Sequence, residues 1–348
     1  MLRYIRLLLL PISWIYGFGI YLRHLAFDFR IFKSEKGALP NLVIGNLNTG
    51  GTGKTPHAIY FLSILASGNK LALLSRGYKR KSSGFIISSE DDDASVLGDE
   101  PKLIKNHFPD IPVAVSEDRI EGLKALKKNT DADLVILDDA IQHRYLIPDF
   151  SLMLMSYHNP WWKDHLLPAG KLRDLRSRST KCDAIVVTKC PEHLSASQIS
   201  EYRNKISPNG DQAVYFSSLD YGKPVFIHGQ IQSIDEGYSI VAFAGIADIQ
   251  NFKTYLTSKY KLLDFTKFPD HHNFSLSDIE SLVVRCGKFA PAQPILVTTE
   301  KDAVRLMGMK LPGHISLCYI PIEVKWITDP GKLIQEIRQK TTNARSNK

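Results

Sequence analysis

The run Gly50-Gly51-Thr52-Gly53-Lys54-Thr55 concentrates the residue types that hold phosphate. Glycines let the backbone wrap closely around an anion, and N–H groups at a helix start converge on it. A lysine placed like Lys54 reaches the β- and γ-phosphates, and a hydroxyl placed like that of Thr55 ligates Mg²⁺. The run therefore predicts an ATP site formed by Asn48, Thr49, Gly50, Gly51, Thr52, Gly53, Lys54 and Thr55. Asn48 stands where the usual P-loop pattern has its first glycine, and Gly50 and Gly51 partly compensate.

Phosphoryl transfer needs more than a cradle. A second carboxylate near the metal normally ends a neighbouring strand, and Leu134-Val135-Ile136-Leu137-Asp138-Asp139 supplies four apolar residues followed by two acids. Asp138 and Asp139 are hard oxygen donors suited to Mg²⁺. An alcohol acceptor must also lose its proton, commonly to a carboxylate within hydrogen-bond reach. Asp99, in Gly98-Asp99-Glu100-Pro101, is a candidate, with a turn or helix-capping role as the alternative. Asp270-His271-His272 offers imidazoles to orient such a carboxylate, the alternative being ordinary surface histidines. No further ligand stands at zinc spacing from that pair. Arg76, Arg119 and Arg173 are candidates for neutralising phosphate oxygens.

These groups need a scaffold of neighbouring strands. Residues 41–44 read as a strand before the glycine-rich loop, and 56–66 as the helix after it. Further strands are predicted over 70–75, 113–115, 134–137, 151–155, 184–187, 240–244 and 295–298, with helices over 119–128 and 277–284. Ser277 and Glu280 have the spacing of a capping box. Charged residues at 78–85 and 90–93 predict a solvated loop or hairpin. The alternation predicts an α/β fold: a P-loop NTPase-like, mostly parallel sheet with helices on both faces, plus a smaller C-terminal α/β lobe. The expected division is an N-terminal anchoring helix with its basic flank (1–36), a kinase core (37–220), a C-terminal lobe completing the cleft (221–340) and a frayed polar tail (341–348).

At 348 residues, with 44% hydrophobic and 23% charged residues, the chain is neither wholly disordered nor a polytopic membrane protein. Its net charge of +8 favours anionic partners such as nucleotides, phospholipid headgroups or nucleic acid. The chain lacks the aromatic-interleaved basic motifs that would point to nucleic acid. Four cysteines without CxxC spacing make no disulfide framework, so a reducing, cytoplasmic setting is expected. Residues 7–22 are uncharged, between Arg3 and Arg6 on one side and Arg23 and His24 on the other. The stretch falls short of the about 20 apolar residues of a spanning helix and contains Pro11, Gly17 and Gly19. It is predicted to lie in or dip into one leaflet, a buried core helix being the alternative. Trp14, Tyr16 and Tyr21, with Arg23, Arg30, Lys33 and Lys36, suit an anionic cytoplasmic interface. On the residues alone, a soluble P-loop kinase of a small metabolite and a P-loop switch or partitioning ATPase stay open beside a lipid kinase.

Taken in order, the motifs resemble the tetraacyldisaccharide 4′-kinases over nearly the whole chain. Beyond the apolar N-terminus and the glycine-rich loop, the matching runs are Ser75-Arg76-Gly77-Tyr78, Gly98-Asp99-Glu100-Pro101, Asp138-Asp139 with Gln142-His143, and Leu167-Pro168-Ala169-Gly170 with Leu172-Arg173. Phe243-Ala244-Gly245-Ile246-Ala247, Asp270-His271-His272 and Thr299-Glu300-Lys301-Asp302-Ala303 follow. The resemblance implies ATP- and Mg²⁺-dependent phosphorylation of the 4′-hydroxyl of an acylated glucosamine disaccharide 1-phosphate, a step of lipid A biosynthesis. It implies Asp99 as base, His271 as its partner, and Asp138 and Asp139 serving the metal. Asn46, Arg76, Glu100, Arg119, Gln142, His143 and Arg173 would lie near the substrate sugar and phosphates. An acceptor with several acyl chains stays in the bilayer, so the implied location is the cytoplasmic face of the bacterial inner membrane; no protein partner is implied. Two departures bear on loop shape and lipid contacts: Ala140-Ile141 where Gly-Phe is usual, and Asp174-Leu175 where Glu-Pro is usual.

Overall fold

A computed structural model describes residues 8–289, 294–307, 309, 311 and 315–346. Arg3, Arg6 and Leu7 of the expected anchor and residues 347–348 of the expected tail lie outside them. In chain order the elements begin with α1 (Leu10–Asp28), β1 (Glu35–Lys36), β2 (Asn41–Asn46), α2 (Lys54–Leu65), β3 (Leu71–Ser75) and β4 (Ile86–Ile87). Then come α3 (Ala94–Leu97), α4 (Asp99–His107), β5 (Val113–Val115), α5 (Arg119–Asn129), β6 (Leu134–Asp138), β7 (Leu146–Ile147), β8 (Phe150–Ser156) and β9 (Ala184–Thr188). The rest are α6 (Ala196–Ile206), β10 (Ala213–Tyr221), β11 (Val225–His228), β12 (Ser239–Ala244), α7 (Gln250–Lys259), β13 (Lys261–Lys267), α8 (Leu276–Gly287), β14 (Ile295–Thr299), α9 (Glu300–Leu306), β15 (Leu317–Ile320), β16 (Ile322–Trp326) and α10 (Gly331–Ser346).

The chain forms two compact units: Met1–Asp91, Ile104–Leu219 and Val324–Lys348 make the first, and Asp92–Leu103 with Asp220–Glu323 the second. In the first, strands lie in the order β16-β10-β9-β8-β2-β6-β3-β5-β4. From β10 to β5 every pairing is parallel, and β4 joins antiparallel. Strands such as Leu71–Ser75 and Ala184–Thr188 are buried at every residue, as both-face coverage demands. One face packs Leu123, Leu126 and Phe216, the other Phe61, Leu62 and Ile337. The second unit has a five-stranded sheet, β11-β15-β14-β12-β13, parallel except for β11.

Four expectations need correction. Residues 324–340 belong to the first unit, not to the C-terminal lobe, because Leu333 and Ile337, four apart on α10, are fully buried in the first unit's core. Residues 92–103 go the other way, into the second unit. Nor is the chain frayed from 341: α10 continues to Ser346, with Thr341 buried. The capping box of α8 is Ser275 with Asp278, not Ser277 with Glu280. The Ser275 hydroxyl accepts from Asp278 N at 3.2 Å and the Asp278 carboxylate accepts from Ser275 N at 2.8 Å, leaving Ser277 inside the helix.

α1 is amphipathic in reverse. Its buried residues are Ser13, Gly17, His24 and Phe27, while Ile12, Trp14, Ile15 and Phe18 are more than half exposed. Among the described residues, no helix is long and apolar enough to cross a membrane.

Candidate active site

In the first unit the parallel register places the glycine-rich loop and the acidic pair at adjacent strand ends. Ile44 of β2 pairs with Asp138 of β6, and Asp139 N donates to Ile44 O at 2.8 Å. Gly50 and Gly53 adopt φ of +118° and +85°, which a side chain would strain. Thr49, Gly50 and Gly51 are exposed, whereas Thr52 and Thr55 are buried. Asn46 braces the loop: its amide donates to Thr52 Oγ1 at 2.8 Å, and Lys54 Nζ lies 3.3 Å from its Oδ1. Thr188, which the sequence did not flag, donates from β9 to Thr52 O at 2.7 Å. Asn48 does not line the cradle with its side chain: it is buried and donates to Asp164 at 3.0 Å, stapling the loop to the stretch before Arg173.

Asp139 is the hub of this cluster in the first unit. Arg173 forks onto both of its carboxylate oxygens and also donates to Asn46 Oδ1 at 2.7 Å, while Lys54 Nζ is 3.8 Å away. Burial raises the Asp139 carboxyl, but Lys54, Arg173 and Arg119 outweigh it and hold it below its ordinary value. Asp139 takes a left-handed φ of +54°, uncommon for a residue with a side chain. Gln142 donates to Asn46 O at 2.7 Å, so Asn46, Lys54, Asp139, Gln142 and Arg173 form one cluster. Arg119 stands behind it: buried, donating to Ser116 O and Glu117 O, its guanidinium pushed down to about 10 by burial. Arg76 is exposed beyond β3, and His143 sits 3.8 Å from Asp118. Among the described residues, none of these three hydrogen-bonds Asp139.

The second unit holds the expected base. Gly98, at φ +93°, turns the chain from α3 into α4, whose first residue is Asp99. His271 Nδ1 lies 2.9 Å from Asp99 Oδ2, and Arg305 grips both oxygens, with Nε 3.1 Å from Oδ1. Burial raises the Asp99 carboxyl, but hydrogen bonds from Arg305 and His271 more than reverse this, leaving an ionised acceptor. His271 is itself held at φ +61°, its N–H donating to Gly245 O at 3.0 Å. Glu100 pairs with Lys301 at 3.0 Å. The sequence reading missed Arg305 and the pairing role of Lys301. Their four-residue spacing on α9, which puts both cations on one helix face, was the available signal.

The donor chemistry suits the groups the sequence called for. Thr55, Asp138 and Asp139 offer only oxygens, as a hard cation prefers. Lys54 and Arg173 crowd a single carboxylate at the start of α2, leaving positive charge for a bound polyphosphate.

A family model described as Tetraacyldisaccharide-1-P 4'-kinase (LpxK) matches residues 5–342. The tetraacyldisaccharide 4'-kinase of Phocaeicola vulgatus is 37% identical over 336 residues, covering 93% of this chain and 92% of its own. That of Flavobacterium johnsoniae is 38% identical over 328 residues, covering 93% of each. The crystal structure of the "apo" form of LpxK from Aquifex aeolicus, in complex with ATP, is similar with a TM-score of 0.76 at 28% identity, covering 98% of this chain and 100% of that one.

Proposed function

This chain belongs to the tetraacyldisaccharide-1-P 4′-kinase family, and we propose that it holds ATP on the loop from Asn48 to Thr55 and uses Asp99 as general base. The 4′-hydroxyl of an acylated glucosamine disaccharide 1-phosphate gives its proton to Asp99 as its oxygen bonds to the γ-phosphorus. The bond from that phosphorus to the ADP oxygen breaks. The observation that carries this reading is the ionised Asp99 carboxylate, fixed between His271 and Arg305. His271 orients the base, and hydrogen bonds from Arg305 and His271 hold the Asp99 carboxyl below its ordinary value.

Mg²⁺, when bound, neutralises charge on the transferring phosphoryl group; Thr55, Asp138 and Asp139 are the residues that would hold it. Lys54 and Arg173 attract phosphate oxygens while Asn46 keeps both in place. Arg76, Glu100, Arg119, Gln142 and His143 serve the sugar and phosphates of the acceptor. The acyl chains explain α1: its outward apolar face, with exposed Phe29 and Ile31 beyond its end, rests in the lipid surface. Arg30, Lys33 and Lys36 favour an anionic leaflet, which supports a location at the cytoplasmic face of the bacterial inner membrane.

The purified protein in detergent, given labelled ATP, Mg²⁺ and acylated disaccharide 1-phosphate, should transfer label to the lipid; no transfer sinks the reading. Asp99→Ala should lower kcat by about 10²–10⁴-fold while ATP binding stays near normal. A nearly normal kcat would dismiss Asp99. Because its carboxyl is held low, the acid limb of kcat/KM owed to Asp99 should fall below the ordinary carboxylate range, activity being lost as pH drops through that point.

A further inference from the structure

α1 meets the body of the first unit with its polar side. The Ser13 hydroxyl donates to Leu166 O at 2.9 Å and accepts from Ala169 N at 3.0 Å. Gly17 lies so close that a Cβ there would come within 2.6 Å of the Leu166 side chain. The Tyr16 hydroxyl donates to Arg173 O at 3.1 Å, and Arg23 donates to Gln142 O at 3.3 Å. At His24, Arg144 donates to Nδ1 at 3.0 Å, which leaves the ring proton on Nε2. That nitrogen donates to Asp174 Oδ1 at 2.6 Å. His24 is 7% exposed and Asp174 2%, so neither is available to water.

A tether to a membrane requires none of these contacts, since a greasy helix on a flexible linker would serve. Burying an imidazole against a carboxylate also costs desolvation that must be met by geometry. Three of the contacts, from Tyr16, Arg23 and His24, end on the Arg173 backbone, the Gln142 backbone and the Asp174 carboxylate, and the side chains of Arg173 and Gln142 converge on Asn46.

We propose that α1 is a wall of the phosphate site and that His24 is a positioning residue, holding the Arg173 guanidinium on Asp139 and Asn46 by fixing Asp174. This rests on the functional reading above, in which Arg173 serves the phosphates. Removing the contact lets Arg173 drift, and misplacement by about 1 Å costs up to about 10²-fold in rate. His24→Ala in the full chain, assayed in detergent micelles so that bilayer attachment plays no part, should lower kcat about tenfold or more, with KM for ATP within about threefold of wild type. His24→Gln, whose terminal amide places a donor near the Nε2 position, should recover kcat to within about threefold. The inference is overturned if His24→Ala keeps kcat within about twofold, or if His24→Gln is as impaired as His24→Ala while both unfold like wild type. Should His24→Ala fail to fold, Tyr16→Phe, which removes one hydroxyl from a half-exposed residue, should still lower kcat about threefold, and an unchanged kcat overturns the proposal. A wild type that transfers no phosphate instead defeats the functional reading, and this inference with it.

Discussion

His57, on the first turn of α2, links the glycine-rich loop to β10. Its Nδ1 donates to Gly53 O at 2.7 Å, so its Nε2 must accept, and the Ser217 hydroxyl donates to it at 3.0 Å. The ring is fully buried, and burial pushes its pKa down to about 4 from 6.5. The sign follows directly: between those values the unfolded chain binds a proton that the folded one refuses, so stability rises with pH. His57 thus removes about 3 kcal/mol of stability as pH falls from about 6.5 to about 4. His57→Gln lacks that titration. The stability gap between wild type and variant, from denaturant unfolding at pH 7 and pH 4.5, should therefore shrink by about 2–3 kcal/mol. A gap that stays constant would mean the imidazole is not held neutral. No sequence pattern exposes this role, because a histidine three residues after the loop lysine is ordinary until Ser217, 160 residues on, is placed against it.

What could be read in advance follows how local each element's determinants are. The glycine-rich loop and β6 were legible because a phosphate cradle and a strand ending in acid are each written in a few consecutive residues. α8 was legible as a helix but not in its cap: two serines, Ser275 and Ser277, each precede an acid by three residues, and only backbone geometry selects Ser275. The spacing of Lys301 and Arg305 marks a cationic helix face, but it does not name Asp99 as the partner of Arg305, because 206 residues separate them. For α1, composition announced the apolar surplus but not which side faces the protein, which depends on Ser13 and His24 finding partners more than 140 residues away. The outward side carries the membrane prediction. Replacing Trp14 and Phe18, 70% and 61% exposed, by serine removes apolar area worth about 1.5–3 kcal/mol per side chain if lipid covers it. Cosedimentation with anionic vesicles should weaken at least about tenfold, and unchanged cosedimentation would put the lipid contact elsewhere.

The chain leaves the first unit after Leu219, builds most of the second, and returns at Val324. The C-terminal 25-odd residues are therefore the last part of the first unit's core and not an appendage of the second. Trp326 packs its ring 5.5 Å from that of Tyr60 on α2, and Leu333 and Ile337 of α10 are fully buried in the same core. α10 also ties down the chain by charge, Lys340 to Asp183 and Arg345 to Asp133 at 2.8 Å. A protein ending at residue 323 keeps every glycine-rich loop residue and every acid of the site, so on sequence grounds the truncation looks harmless to ATP binding. The packing says otherwise: losing Leu333 and Ile337 gives up about 1.5–3 kcal/mol for each side chain, a large fraction of the about 5–15 kcal/mol that stabilises an ordinary domain. The 1–323 protein should unfold well below the full-length chain and bind ATP only weakly, as calorimetry of both with and without nucleotide will show. If it instead melts with the full-length protein and keeps its ATP affinity, α10 is dispensable and the first unit is complete without its returning segment.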